Sequence, residues 1–508
     1  MKDAARIQRI NDVASLRTMA LLLANENERL IAKVLELQKR LAAAEGRDRA
    51  QLEIELTSLQ KELEARAQKA FEHTSEKRGK PDGESEGNDK KPRKGHGPRE
   101  QEKLRIIEVV HPLDEADMPC PCCGERLEPI EGETEDSDEV DEIQREFVIR
   151  RHKRQKYRCK KGCHVTTAFG PKRWFEGGRY GLAFAIGVAI AKYLDHLPLE
   201  RQVRQMARHG LCVDSQTLFD QVYALETILR PAYLRLGELQ RQRLLLFVDE
   251  TTWPVHEKTK GVDASKWHLW TAVSPLGVYY EVHDNRSADG ARSMLAGFSG
   301  YVMCDGYSAY ESIAKEFPNV RLLQCWVHVR RGFVECETAF PKECGEVLAL
   351  IGTLYEIEKR GRDGPDDERL RLRQTESKAV LSQIEKWAMR TVADGPAIPG
   401  TALREAIDYM MRRWKRLTLF LDDARLPLDN NAAERAIRGP VVGRKNHYGS
   451  RSLRGTQVAA TLYSLLESAK LVGVDPRAYI EMAVAAHMDG REVPLPHEIA
   501  AAASAPTT

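Results

Sequence analysis

"LLLFVDETTWPV" (residues 244–255) reads as a buried β-strand. Five consecutive apolar residues, ending in an aromatic and a β-branched side chain, run into two carboxylates, Asp249 and Glu250. Strand-like runs continue downstream. "WHLWTAVSPLGVYYEVHD" (267–284) reads as two strands joined at Ser274–Gly277, and "ADGARSMLAGF" (288–298) as a short helix. "YVMCDGYSAY" (301–310) starts as a strand that ends at Asp305 and Gly306, and "VRLLQCWVHVRRGF" (320–333) as a strand turning into a helix. Three consecutive strands, then helix–strand–helix–strand, is an order compatible with a mixed sheet covered by helices.

Two aspartates thus fall at comparable places, Asp249 at or near the end of the first strand and Asp305 at the end of the fourth. Carboxylates at neighbouring strand ends can share hard divalent cations such as Mg2+, which prefer oxygen ligands. A third carboxylate comes from "LDNNAAERAIRGPVVGRKN" (428–446). Glu434 is the candidate and Asp429 its rival, placed before the helix on less rigid chain. Asn431-Ala-Ala-Glu434 also has capping-box spacing, with Asn431 as N-cap and Glu434 as N3. Both uses of Glu434 compete for the same oxygens. Behind it come six basic residues with no acid between them: Arg435, Arg438, Arg444, Lys445, Arg451 and Arg454. Such a run suits backbone phosphates, giving affinity and register rather than sequence reading.

Upstream, Leu16, Leu23, Leu30 and Leu37 recur every seven residues, with Ala20, Asn27, Val34 and Leu41 in the other seam position. This predicts a coiled coil over 1–73 and self-association into a homo-oligomer. Residues 74–103 carry no large apolar side chain and read as a disordered linker. Residues 104–170 hold Cys120 and Cys123 in a C-x2-C knuckle, with Cys122 spare, and Cys159 and Cys163 in a C-x3-C pair beside His164. Two short-spaced pairs predict structural Zn2+, and "EFVIRR" (146–151) between them reads as a strand. Residues 171–240 read as a helical domain, either a helix-turn-helix bound to DNA or a plain packing unit. Asp214 or Ser215 caps its last helix, which carries little positive charge.

The composition, 42% apolar and 30% charged, is that of a soluble chain, and no apolar run reaches the roughly 20 residues that span a bilayer. Ten cysteines in 508 residues, clustered rather than spread, point to metal and a reducing cytoplasm rather than a disulfide scaffold. The net charge of +2 hides segregation of acid into 131–142 and base into 435–454.

"VDETTWPV" (248–255), "CDGYSAY" (304–310), "CWVHVRRGF" (325–333) and "DNNAAERAIRGPVVGRKN" (429–446) together resemble the insertion sequence 66 family of bacterial transposases. The heptad N-terminus, the two cysteine pairs, "YLDHLPLERQ" (193–202) and "YSLLESAKLVGVDPRAY" (463–479) resemble it in the same order, so the likeness covers nearly the whole chain. The C-x3-C spacing departs from the family's usual C-x2-C and leaves Cys163 and His164 as rival fourth zinc ligands. The resemblance implies a multidomain α+β protein whose ribonuclease-H-like catalytic core spans 241–344 and 419–485, split by a helical insertion at 345–418 and followed by a tail at 486–508. It implies a catalytic triad of Asp249, Asp305 and Glu434 holding Mg2+ or Mn2+. The reaction implied is hydrolysis at the transposon terminal inverted repeats, freeing a 3′-hydroxyl that attacks target DNA. Cys325 and His328 match a C-x2-H pattern expected to serve local structure, and accessory proteins of the same element are expected partners. Two other readings share these residues: a DNA-binding protein with an inert core, and a structure-specific nuclease.

Overall fold

The computed structural model describes residues 146–158, 165–257 and 267–504, with Glu36, Arg40 and Arg126 as isolated positions. The heptad run, the linker and the cysteines at 120, 123, 159 and 163 lie outside the described residues. A small antiparallel hairpin of β1 (Lys156–Arg158) and β2 (Val165–Thr167) flanks the second cysteine pair. The strand expected at "EFVIRR" does not form. Val148 and Ile149 are 65% and 92% exposed, and the segment meets no partner strand among the described residues.

Three helices lie between β2 and the main sheet: α1 (Leu182–Tyr193), α2 (Leu199–Arg208) and α3 (Ser215–Gln240). Asp214 is the cap of α3, accepting from the Thr217 N–H. Leu218, Val222, Leu225, Leu229 and Leu236 recur on one side of α3 and are fully buried. Its exposed first turns offer Gln216 and Asp220 and no lysine or arginine. The helix is therefore a packing element along most of its length.

The main sheet has five strands: β3 (Leu245–Thr252), β4 (His268–Ser274), β5 (Gly277–His283), β6 (Gly300–Cys304) and β7 (Val320–Gln324). Their spatial order is β5-β4-β3-β6-β7. β3, β4 and β5 form an antiparallel meander, while β6 and β7 run parallel to β3. The parallel pairs are joined by α4 (Ala288–Leu295) and α5 (Ser308–Glu316). Side chains alternate across the pleat. Leu246, Val248, Val302 and Leu322 face α4 and α5 in one core. Phe247 faces the opposite side, where α1, α3 and the C-terminal helices pack, and Met303 and Leu323 join the core formed with the insertion.

After β7 come α6 (Trp326–Cys336) and an insertion built from α7 (Pro341–Gly361), α8 (Asp366–Leu372), α9 (Lys378–Ala393) and α10 (Ala402–Arg412). α7 begins with Pro341 in its first turn, a few residues ahead of 345. The chain then returns through α11 (Asn431–His447), α12 (Leu453–Leu471), α13 (Pro476–Met488) and α14 (Pro496–Ser504). Past residue 486 the chain stays packed: Val493 and Leu495 are buried in the core that α3 and α13 share.

α12 covers the free edge of β5. Ser464 Oγ accepts the Tyr280 N–H at 2.9 Å and Ser468 Oγ the Val278 N–H at 2.8 Å. Two edge donors are thereby satisfied by a helix rather than by another strand. The approach is close enough that a Cβ on Gly277 would overlap Ser468 Oγ. Gly473, at φ +75°, ends α12 in the left-handed region.

Candidate active site

The sheet register brings Asp249 and Asp305 level. β3 and β6 pair in parallel at Leu245–Tyr301, Leu246–Val302 and Phe247–Met303. Carried forward two residues, that register sets Asp249 opposite Asp305, one residue beyond the end of β6. Both follow the parity of Phe247 and Met303, so both lie on that face of the sheet. β3 itself continues to Thr252 through its pairing with β4, so Asp249 ends the strand only on its β6 side.

Glu434 approaches Asp249 from α11, whose start is tied to β3 and to the residues after β7. The Trp326 N–H donates to Leu428 O at 3.0 Å, and the Asn430 N–H to Cys325 Sγ at 3.2 Å. Asn430, 1% exposed, donates its side-chain amide to Val248 O at 2.8 Å, one residue before Asp249. The expected capping box does not form. Asn430 occupies the N-cap position, and the Asn431 N–H is taken by Asp429 Oδ1 at 3.1 Å. Asn430 is turned to the sheet, so Glu434 sits one position deeper than N3 and projects toward the aspartates. Asp429 is occupied elsewhere: its carboxylate lies beside Tyr355, whose phenol burial and that charge push up.

The electrostatics register the convergence. Burial pushes the Asp249 carboxyl up to about 7, and the charges of Glu250, Asp305 and Glu434 add to the rise. Glu250 points to the other face, where Tyr310 Oη donates to it at 2.6 Å and Arg286 at 2.7 Å. Burial raises its carboxyl too, against both hydrogen bonds. Glu434 Oε1 is buried with no hydrogen-bond partner. Three acids with so little local compensation match the donor set of a hard divalent cation, which would relieve their repulsion.

His328, in the first turn of α6, brings Nε2 to 3.8 Å from Glu434 Oε1. Burial lowers its imidazole, while the Glu434 and Asp305 charges oppose that shift. Cys325, at the N-cap of α6, has its thiol pushed up to about 11 by burial. Ligand atoms of Cys325, His328 and Glu434 lie within 4.8 Å of one another. Cys325 thus braces α11, and His328 stands beside the acids.

The basic run divides. Arg435, Arg438 and Lys445 are exposed on one face of α11, starting one residue after Glu434. Arg444 folds back onto β3, donating to Thr251 Oγ1 at 3.0 Å, Thr252 Oγ1 at 2.6 Å and the Thr252 carbonyl. Arg454 lies over the Tyr223 ring at 5.0 Å, and Arg451 is exposed. His447 packs edge-on against Trp253, while Tyr448 is 74% exposed.

Sequence reasoning missed two contributors. Asn430 was legible only as one of two asparagines between Asp429 and Glu434. Arg413, at the end of α10, donates to Gly306 O at 3.0 Å, next to Asp305, and stacks on Tyr409 at 3.9 Å. Its signal was buried in the basic "MMRRWKR" (410–416), read only as part of a charged insertion.

Among the described residues no helix is long and apolar enough to cross a membrane. Residues 177–458 match the family model described as Transposase IS66 family. The chain is 32% identical over 389 residues to the uncharacterized protein y4jD of Sinorhizobium fredii, covering 73% of this chain and 74% of that protein. It is 30% identical over 403 residues to the uncharacterized protein y4qI of the same organism, covering 76% of this chain and 72% of that protein. This chain therefore belongs to the IS66 family of transposases.

Proposed function

We propose that the protein is a DDE-type DNA transposase. On this reading Asp249, Asp305 and Glu434 hold divalent cations, and the ribonuclease-H-like core is the sheet of β3 to β7 with α11 set against it. The observation that carries the proposal is the approach of Asp305 and Glu434, from two separated segments, to Asp249 on β3, close enough that their charges add to the burial that raises Asp249 to about 7. Bound there, Mg2+ or Mn2+ would supply Lewis-acid activation of an attacking oxygen and neutralise charge on the scissile phosphate.

The chain's own groups have distinct tasks. Asn430 and Cys325 hold the first turn of α11 so that Glu434 faces the aspartates. Arg435, Arg438 and Lys445 line the DNA backbone approaching that point, and Arg451 extends the same basic surface. Arg444 is engaged on β3 and positions α11 rather than DNA, while Arg454, exposed over the Tyr223 ring, extends the basic surface with Arg451. Hydrolysis at a transposon end frees a 3′-hydroxyl, which then attacks a target phosphodiester in the same site. No covalent protein intermediate is needed. Zn2+ at Cys120, Cys123, Cys159 and either Cys163 or His164, and self-association through 1–73, complete the proposed assembly on the inverted repeats.

The test supplies the protein with Mg2+, a labelled transposon end and a target plasmid. Joined product is the expected outcome. Cleavage without joining points to a nuclease, and binding alone to an inert core. Asp249→Asn, Asp305→Asn and Glu434→Gln are each expected to abolish cleavage while end binding survives. Full activity in Glu434→Gln would remove Glu434 from the triad.

A further inference from the structure

Glu434 belongs to two ligand sets of opposite chemical character. Toward the sheet its charge acts on Asp249, as that of Asp305 does, and these three carboxylates are an all-oxygen set suited to Mg2+. Toward α6 it meets a thiol and an imidazole, a set that Mg2+ does not favour and that Zn2+ or Co2+ does. Ligand atoms of Cys325, His328 and Glu434 lie within 4.8 Å of one another, against roughly 3.5 Å between ligands around tetrahedral zinc. Closing that gap takes a rotamer adjustment of His328 and Glu434, whose side chains are each 23% exposed and so reachable from solvent.

A second observation points to a ligand. His328 Nδ1 and Glu434 Oε1 are both buried and lack a hydrogen-bond partner. Buried polar atoms are normally satisfied, so two such atoms on adjoining side chains mark a place built to receive something. The third member is rigidly held: Cys325 Sγ sits at the N-cap of α6 and accepts the Asn430 N–H.

We propose that Cys325, His328 and Glu434 form a regulatory site for a thiophilic transition-metal ion of the Zn2+ class, which withholds Glu434 from the catalytic acids. The ion takes one sulfur, one nitrogen and one oxygen from the protein. On binding, the Cys325 S–H bond breaks, a sulfur–metal bond forms, and the proton passes to water. Glu434 cannot serve both sets at once, so the soft ion and Mg2+ compete. The regulatory part of this inference rests on the transposase reading; the metal site itself does not.

The test uses the full chain, reduced and stripped of metal, titrated with Co2+ alone and followed by absorption. The N-terminal cysteines contribute equally to every variant below, so differences report this site. The wild type is expected to bind one more Co2+ per chain than Cys325→Ser or His328→Gln. The difference spectrum should carry a thiolate-to-cobalt charge-transfer band in the Cys325 comparison. Glu434→Gln should weaken that extra equivalent by at least about tenfold. His328→Gln leaves the Cys325 brace in place, so it decides the matter if Cys325→Ser fails to fold by circular dichroism. Equal cobalt stoichiometry in the wild type and His328→Gln overturns the site. Asp249→Asn separates the two proposals: it should lose Mg2+-dependent cleavage and keep the extra cobalt. In the wild type, added Zn2+ should raise the Mg2+ concentration needed for cleavage. If the extra cobalt binds but Zn2+ leaves that requirement unchanged, regulation is overturned. If the wild type binds the extra cobalt but cleaves no DNA, the transposase reading falls while the metal site stands.

Discussion

His447 shows how burial sets the behaviour of a residue at the opposite end of α11 from Glu434. It ends α11 against Trp253, its Nδ1 meets Gly449 O at 2.9 Å, and its Nε2 has no hydrogen-bond partner. Burial first, then the Lys192 and His196 charges, lower its imidazole from 6.5 to about 4. Lys192 is itself lowered to about 8 by burial, and burial also lowers His196. For a histidine held neutral in the fold, the unfolded chain binds the extra proton. Its stabilising contribution is therefore complete above the unfolded value of 6.5 and is lost as pH falls toward 4. The loss from this residue is up to about 3 kcal/mol. Urea melts at pH 7 and pH 4.5 should show His447→Gln with a shallower acid loss than the wild type. Equal acid slopes would place the titration elsewhere, His196 being the next group in that cluster.

At the scale of the element, α11 joins an acid to a basic stripe. Arg435, Arg438 and Lys445 span about 15 Å along one exposed face, at 1.5 Å of rise per residue. Pro440 lies within the helix, on its buried side. If the stripe follows a DNA backbone, each cation removed lowers the steepness of log K against log salt by about 1. Arg435→Ala, Arg438→Ala and Lys445→Ala together should flatten that slope by about 3 and weaken binding alike on end and random DNA. Arg444→Ala is the contrast. It loses hydrogen bonds to Thr251 and Thr252 and should lower the melting temperature while leaving the salt slope near the wild-type value. An unchanged slope in the triple variant would mean that DNA takes another face.

At the scale of the molecule, the insertion is continuous with the sheet rather than appended to it. Met303 and Leu323 from β6 and β7 share one apolar core with Phe333, Ile351, Trp387 and Met410. Arg373, 0% exposed, locks the returning chain to it. Its guanidinium pairs with both Glu358 oxygens at 2.7 Å and donates to the carbonyls of Phe420, Asp423 and Leu426. Those carbonyls lie on the segment leading to Asn430 and Glu434. Arg373→Met leaves Glu358 still facing Arg369, at 2.9 Å, but strips the carbonyls of their donor. Removing one partner of so buried a pair typically costs about 3–5 kcal/mol. Calorimetry should show that loss, and cleavage should fall with it because the path to Glu434 loosens. A variant that melts like the wild type would mean that the insertion core alone holds this segment.

Much of this architecture was written in local pattern. The aromatic and β-branched runs in 267–284 set β4 and β5, Asp214 caps α3, and Gly473 stops α12, each through chemistry contained within a few residues. The aspartates were legible as polar interruptions at strand ends, and Glu434 as an acid heading a basic run. What local pattern could not carry was the choice between competing partners. Asn431 and Glu434 have the spacing to cap a helix. Asn430 finds a better acceptor in Val248 O, some 180 residues away in the chain, and so moves the helix start. Arg444 and Arg454 are indistinguishable from Arg435 in sequence, yet β3 and Tyr223 engage them. The six cations and the acids are properties of the chain. Which of them face solvent, and which carboxylates share a space, depends on long-range packing, because burial and charge proximity exist only once distant segments meet.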